Sequence, residues 1–185
     1  MEKAETDIAL KFKSDWNAHH HGRQPLGYVL RQDSSLPWVR FHSLPGSQRY
    51  AASDEEIDII LSRGNCLASA LFGRSKGCWI ITSRWDDEFG PGVPAGLWSE
   101  DDTDPESLVW NFFVREGEWA EGKFDDDLED LADDARHYII WFEPESGKVF
   151  APYDGGFDLF ASTIEEVHAL KKRFGDWLSD REDGL

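Results

Sequence analysis

Several groups in this chain have the residue types of a reactive or binding site. His19-His20-His21 offers three imidazoles, the ligand type preferred by zinc and nickel. Consecutive side chains cannot converge on one ion, and no cysteine or carboxylate stands at ligand spacing, so the run reads as a polar helix end. Arg40 and His42 are two residues apart on an extended run and share one strand face. That pair suits holding an anion or acting as general base, against the plainer reading of a structural histidine. Ser43 points the other way and lacks the Gly-x-Ser-x-Gly context of a hydrolase. Gly73-Arg74-Ser75-Lys76-Gly77 lacks P-loop spacing and is a basic turn. Asp154-Gly155-Gly156-Phe157-Asp158 sets two carboxylates around a glycine pair, as a divalent-ion chelate would, but it does not follow the EF-hand pattern. A tight turn is the simpler reading, with Asp154 bonding backbone N–H groups and both glycines at positive φ. No metal site and no cofactor is expected.

The charge is unevenly distributed. The 185 residues carry 37 Asp and Glu against 19 Lys and Arg, for a net charge of −18. Residues 85–135 hold 18 of those acids against Arg115 and Lys123 alone, a local balance of −16. Such a field repels phosphate backbones, which argues against nucleic-acid binding, and attracts a basic protein partner. Asp125, Asp126, Asp127, Glu129, Asp130, Asp133 and Asp134 supply it on one expected helix over 124–137. The first three suit the positive helix start. The last two oppose the dipole at its end, a local conflict that can mark an interaction face. Trp85, Trp98 and Trp119 border the stretch, and Trp98 and Trp119 are candidate aromatic anchors for a partner. The plain alternative is an acidic surface that serves solubility.

Periodicity supplies the elements that must position these groups. Apolar residues at Ile8, Ala9, Phe12 and Trp16 predict a first helix, ended near Gly22. Residues 28–31 and 38–44 read as strands of a hairpin turning through Asp33-Ser34-Ser35. Ser53 to Glu56 forms a capping box ahead of a helix that Gly64 interrupts, and Ser162 to Glu165 forms a second before the final helix. Strands are expected over 78–85, 107–119, 138–142, 148–153 and 157–161. Between them, 86–106 is a long acidic loop with at most a short strand at Leu97-Trp98. The fold class is α+β: one domain over 1–185, a mostly antiparallel sheet with flanking helices, and residues 1–24 as N-terminal helix and polar tail. No apolar run is long enough to span a bilayer, and the N-terminal residues lack a secretory apolar core, so a cytoplasmic protein without membrane contact is expected. Cys66 and Cys78 make no disulfide framework.

Arg40-Phe41-His42-Ser43-Leu44-Pro45 with Arg49-Tyr50, and Pro152-Tyr153-Asp154-Gly155-Gly156-Phe157-Asp158 followed by Trp177-Leu178-Ser179 and Asp183-Gly184-Leu185, together resemble an uncharacterised family of bacterial proteins of this size. That resemblance implies no established activity. In charge and size the chain is also similar to small acidic immunity proteins of bacterial toxin systems, which implies binding rather than catalysis. Two function classes therefore stand. The first is a non-catalytic, immunity-like module that meets a basic partner through 85–135. The second is an enzyme or small-ligand binder with a pocket for an anion around Arg40, His42, Arg49, Tyr153, Asp154 and Asp158.

Overall fold

Strict alternation of side chains builds the sheet. In β1 (Trp38–His42), Val39 and Phe41 are buried on one face while Trp38, Arg40 and His42 are half-buried on the other. β1 is joined by β2 (Ser75–Arg84), β3 (Val93–Ser99), β4 (Val109–Ala120), β5 (His137–Phe142), β6 (Val149–Tyr153) and β7 (Gly156–Phe160), of which β6 and β7 are buried on both faces almost throughout. All seven pair antiparallel, in the order β1-β7-β6-β5-β2-β4-β3. This is a computed structural model, and it describes residues 2–86, 88–101, 103–132 and 137–179. The architecture is a single α+β domain with helices on both faces of the sheet.

Each face has its own core. On the first, α3 (Asp54–Phe72), α4 (Asp125–Ala132) and α5 (Ile164–Arg173) cover Phe41, Ile80, Trp119, Trp141, Phe150 and Phe157. On the second, α1 (Glu2–His20) and the single helical turn α2 (Gly27–Leu30) cover Trp79, Ile81, Trp110, Phe142 and Phe160. Burying large apolar side chains on both sides supplies the main driving force, roughly 1.5–3 kcal/mol for each fully buried one. Among the described residues, no helix is long and apolar enough to cross a membrane.

The capping boxes act as helix starts. Ser53 accepts from the Glu56 N–H, and Glu56 in turn accepts from the Ala52 N–H. At α5 the box lies one residue later than expected: Thr163 accepts from the Glu166 N–H, and Glu166 takes the Ser162 N–H. Gly64 does not interrupt α3. It is buried where an added Cβ would lie 3.1 Å from the Phe157 ring and 3.2 Å from Leu128, so its missing side chain lets the helix sit close to its neighbours. The histidine run is more than a polar helix end. His19 Nε2 meets the Pro144 carbonyl at 2.8 Å and buried His20 meets the Gly147 carbonyl at 3.1 Å, pinning the end of α1 to the β5–β6 turn.

Two segments take forms other than those expected. Residues 27–30 make a helical turn, not a strand, and β1 pairs with β7 instead of forming a hairpin with them. Leu26 and Leu30, both fully buried, lie at i, i+4 spacing, and the Arg31 N–H returns to the Gly27 carbonyl at 3.0 Å. Within 86–106 a seven-residue strand, β3, forms the outer edge of the sheet on β4. A bulge between Pro94 and Gly96 shifts its register, so Ala95 and Trp98 both turn toward the α1 side.

Candidate functional site

A cavity of about 440 Å³ opens on the second face, between the β1-β7-β6-β5 half of the sheet and α2. Register places its central ion pair. Arg40 on β1 stands directly opposite Asp158 on β7, and the alternation of both strands turns the two side chains to this face. The pair is bidentate: Arg40 Nε donates to Asp158 Oδ1 at 2.8 Å and Nη2 to Oδ2 at 2.9 Å. Trp38 Nε1 adds a third donor to Oδ1 at 3.0 Å. Burial pushes the Asp158 carboxyl up, while the Arg40 and Trp38 donors pull the other way. Arg40 also stacks 4.3 Å over the Tyr153 ring, and burial raises the Tyr153 phenol above its usual range.

A second acid–base pair forms the rim. Asp154 accepts from Arg49 Nε at 2.7 Å and from the Tyr50 hydroxyl at 3.1 Å. The turn reading is corrected here: Asp154 takes side-chain donors, and neither Gly155 nor Gly156 is at positive φ. Gly156 is required for proximity instead. A Cβ there would lie 2.2 Å from the Phe41 carbonyl oxygen, so only glycine lets β7 lie this close to β1. Nearby, Ser47 Oγ lies 3.2 Å from His42 Nε2, and Arg63 Nη1 donates to the His42 carbonyl at 2.9 Å.

The roof comes from α2. Gly27 packs on the sheet where a Cβ would lie 3.0 Å from that of Ala151, and Arg31, one helical turn on, enters the cavity lining. Its Nη1 stands 3.9 Å from Asp158 Oδ2, outside hydrogen-bond reach, and Asp158 already serves Arg40. Among the described residues, Arg31 is thus a partly buried cation with no hydrogen-bonded acid. Tyr28 from the roof and Tyr138 from β5 complete the far wall, over a floor of Ile140 and Ala151. Their rings lie 6.3 and 5.6 Å from that of Trp110. Glu100 Oε1 accepts from both the Tyr28 hydroxyl and, at 2.9 Å, Trp110 Nε1.

The structure thus gathers Arg40, His42, Arg49, Tyr153, Asp154 and Asp158 around one cavity. Sequence reasoning missed Arg31, Tyr28 and Tyr138. The Leu26/Leu30 spacing carried the signal for the first two, because a helical reading of 26–31 also aligns Gly27 with Arg31.

The acidic set and its aromatic anchors do not form one surface. Trp119 is fully buried, stacked on Phe124 and edge-on to Trp141 in the first core, so it presents no anchor to solvent. Trp98 is half-buried on the opposite face of the sheet from α4. Asp125 is half-buried and accepts from Asn65 Nδ2 at 2.6 Å, and Asp127 lies 3.9 Å from Arg115. Asp126, Glu129 and Asp130 are exposed. Asp133 and Asp134 lie outside the described residues.

A family model described as "Domain of unknown function (DUF3885)" matches residues 26–182, a span that includes every residue lining the cavity. No curated protein and no solved structure matches the chain.

Proposed function

The chain belongs to the DUF3885 family, a domain of unknown function, and from that premise we propose that it binds a small anionic ligand in the cavity beneath α2. One observation carries this reading. In a chain of net charge −18, the cavity holds Arg31, Arg40 and Arg49 against Asp154 and Asp158, and among the described residues Arg31 has no hydrogen-bonded carboxylate, Asp158 lying 3.9 Å away. A cation held this way is an attractive site for a carboxylate or phosphate oxygen, with His42 and Arg49 at the mouth. Hydrogen bonds to charged groups contribute about 1.5–3 kcal/mol, or roughly 10- to 100-fold in affinity. Calorimetric titration with inorganic phosphate is expected to give a dissociation constant of about 1 mM or tighter, with Arg31→Met at least about tenfold weaker. Absence of binding to the wild-type protein would overturn the reading.

A second reading rests on a different observation, the exposed carboxylates Asp126, Glu129 and Asp130 along α4. A basic protein docked there is expected to be captured at low salt and released at high salt, and to be lost on exchange of the three acids for their amides. Recovery of no basic protein at low salt would dispose of it.

A further inference from the structure

The cavity is too large for an anion alone. At about 440 Å³ it exceeds by more than tenfold the roughly 30 Å³ that a water molecule occupies in the liquid, so a phosphate or carboxylate at Arg31 would leave most of it unfilled. The remaining walls differ in kind from the arginine end. Tyr28 flanks the space from the roof and Tyr138 from the sheet, and Ile140 and Ala151 supply an apolar floor. Both tyrosines lean on Trp110, and Trp85 backs Tyr138 at 6.2 Å. A single oxygen of Glu100 holds the Tyr28 hydroxyl and the Trp110 indole together, and Tyr138 packs on that same indole. A rigid aromatic wall favours flat π-systems, because stacking requires two faces already in place.

Resting on the anion-site reading above, we infer that the ligand is a flat aromatic or heteroaromatic ring bearing an anionic group, its charge at Arg31 and its ring against Tyr28 and Tyr138. Base–aromatic stacking adds about 1–3 kcal/mol, so the ring is expected to tighten binding about tenfold or more over the bare anion. Anion and ring act as separate contributions to one site. A neutral ring without the charge binds weakly, and the charge without the ring binds at the level of phosphate.

The test is a calorimetric comparison of phenyl phosphate, benzoate, benzyl alcohol and inorganic phosphate on the full chain. The phosphate and carboxylate probes distinguish the two sources of anion. Phenyl phosphate or benzoate is expected to bind at least about tenfold more tightly than inorganic phosphate, with benzyl alcohol weakest. In Tyr138→Ala the ratio of phenyl phosphate to phosphate affinity is expected to fall to about one. Tyr28→Leu gives the same readout should the first variant fail to fold. Equal affinities for phenyl phosphate, benzoate and inorganic phosphate would overturn this inference while leaving the anion site standing. Binding of none of the four would remove both.

Discussion

At the scale of single residues, burial and register decide more than residue type. The three histidines at 19–21 have the composition of a metal site, yet their environment makes two of them structural clasps. His20 shows the cost of that role. Its Nε2 meets the Gly147 carbonyl, its Nδ1 is buried with no partner among the described residues, and burial pushes its pKa down to about 4. Because the folded value lies below the unfolded 6.5, the neutral ring contributes stability above about pH 6.5. That contribution is lost as pH falls from there through 4, up to about 3 kcal/mol in all. Urea unfolding at pH 7 and pH 4 is expected to show a steeper acid loss for wild type than for His20→Gln; parallel losses would refute the assignment. Nothing in the spacing of the histidines could disclose this. The carbonyls they meet lie more than a hundred residues away.

At the scale of elements, the signals that proved readable were redundant ones. α3 and α5 each carry a capping box and an apolar stripe, and β5 to β7 are short, largely apolar runs separated by short turns, so several local preferences agree. α2 has one four-residue turn, and Tyr-Val-Leu favours strands, leaving Leu26 and Leu30 as the whole helical signal. β3 is hidden by Pro94 and Gly96, which an edge strand tolerates because one side of its backbone needs no partner. The candidate site divides along the same line. Arg40, His42 and Asp158 follow from alternation in strands that the sequence marks, whereas Arg31 and Tyr28 belong to a turn it barely signals. Gly156 matters for its close approach to the Phe41 carbonyl, which strand pairing sets, and not for a positive φ. Gly156→Ala would press a methyl carbon into a backbone oxygen that cannot swing aside. A loss of about 3 kcal/mol or more in the urea midpoint analysis is expected; a near-neutral result would show that β1 and β7 can separate without penalty.

At the scale of the whole molecule, the −18 charge and the positive cavity act over different distances. On the proposed anion-site reading, Arg31 would act within a few ångströms of its ligand, where salt screens little, whereas the surface acids act over longer distances, which salt screens to a Debye length of about 8 Å at physiological ionic strength. The distant field repels an approaching anion, and added salt weakens that repulsion first. Stopped-flow association of phenyl phosphate is therefore expected to quicken as salt rises from about 10 to 150 mM, opposite to the behaviour of a uniformly basic binder. A rate that falls over this range would mean the cavity mouth, not the acidic exterior, controls encounter. The β1–β7 pairing, Trp38 against Phe160, has a consequence in time. The two halves of the site are manufactured far apart, and the ribosome must finish β7 before β1 has a strand to pair with. A nascent chain halted ahead of residue 149 has already emerged with Arg31 and Arg40, yet it lacks β6 and β7, and the ligand capture proposed above would begin only once Asp158, the last residue lining the cavity, has been added.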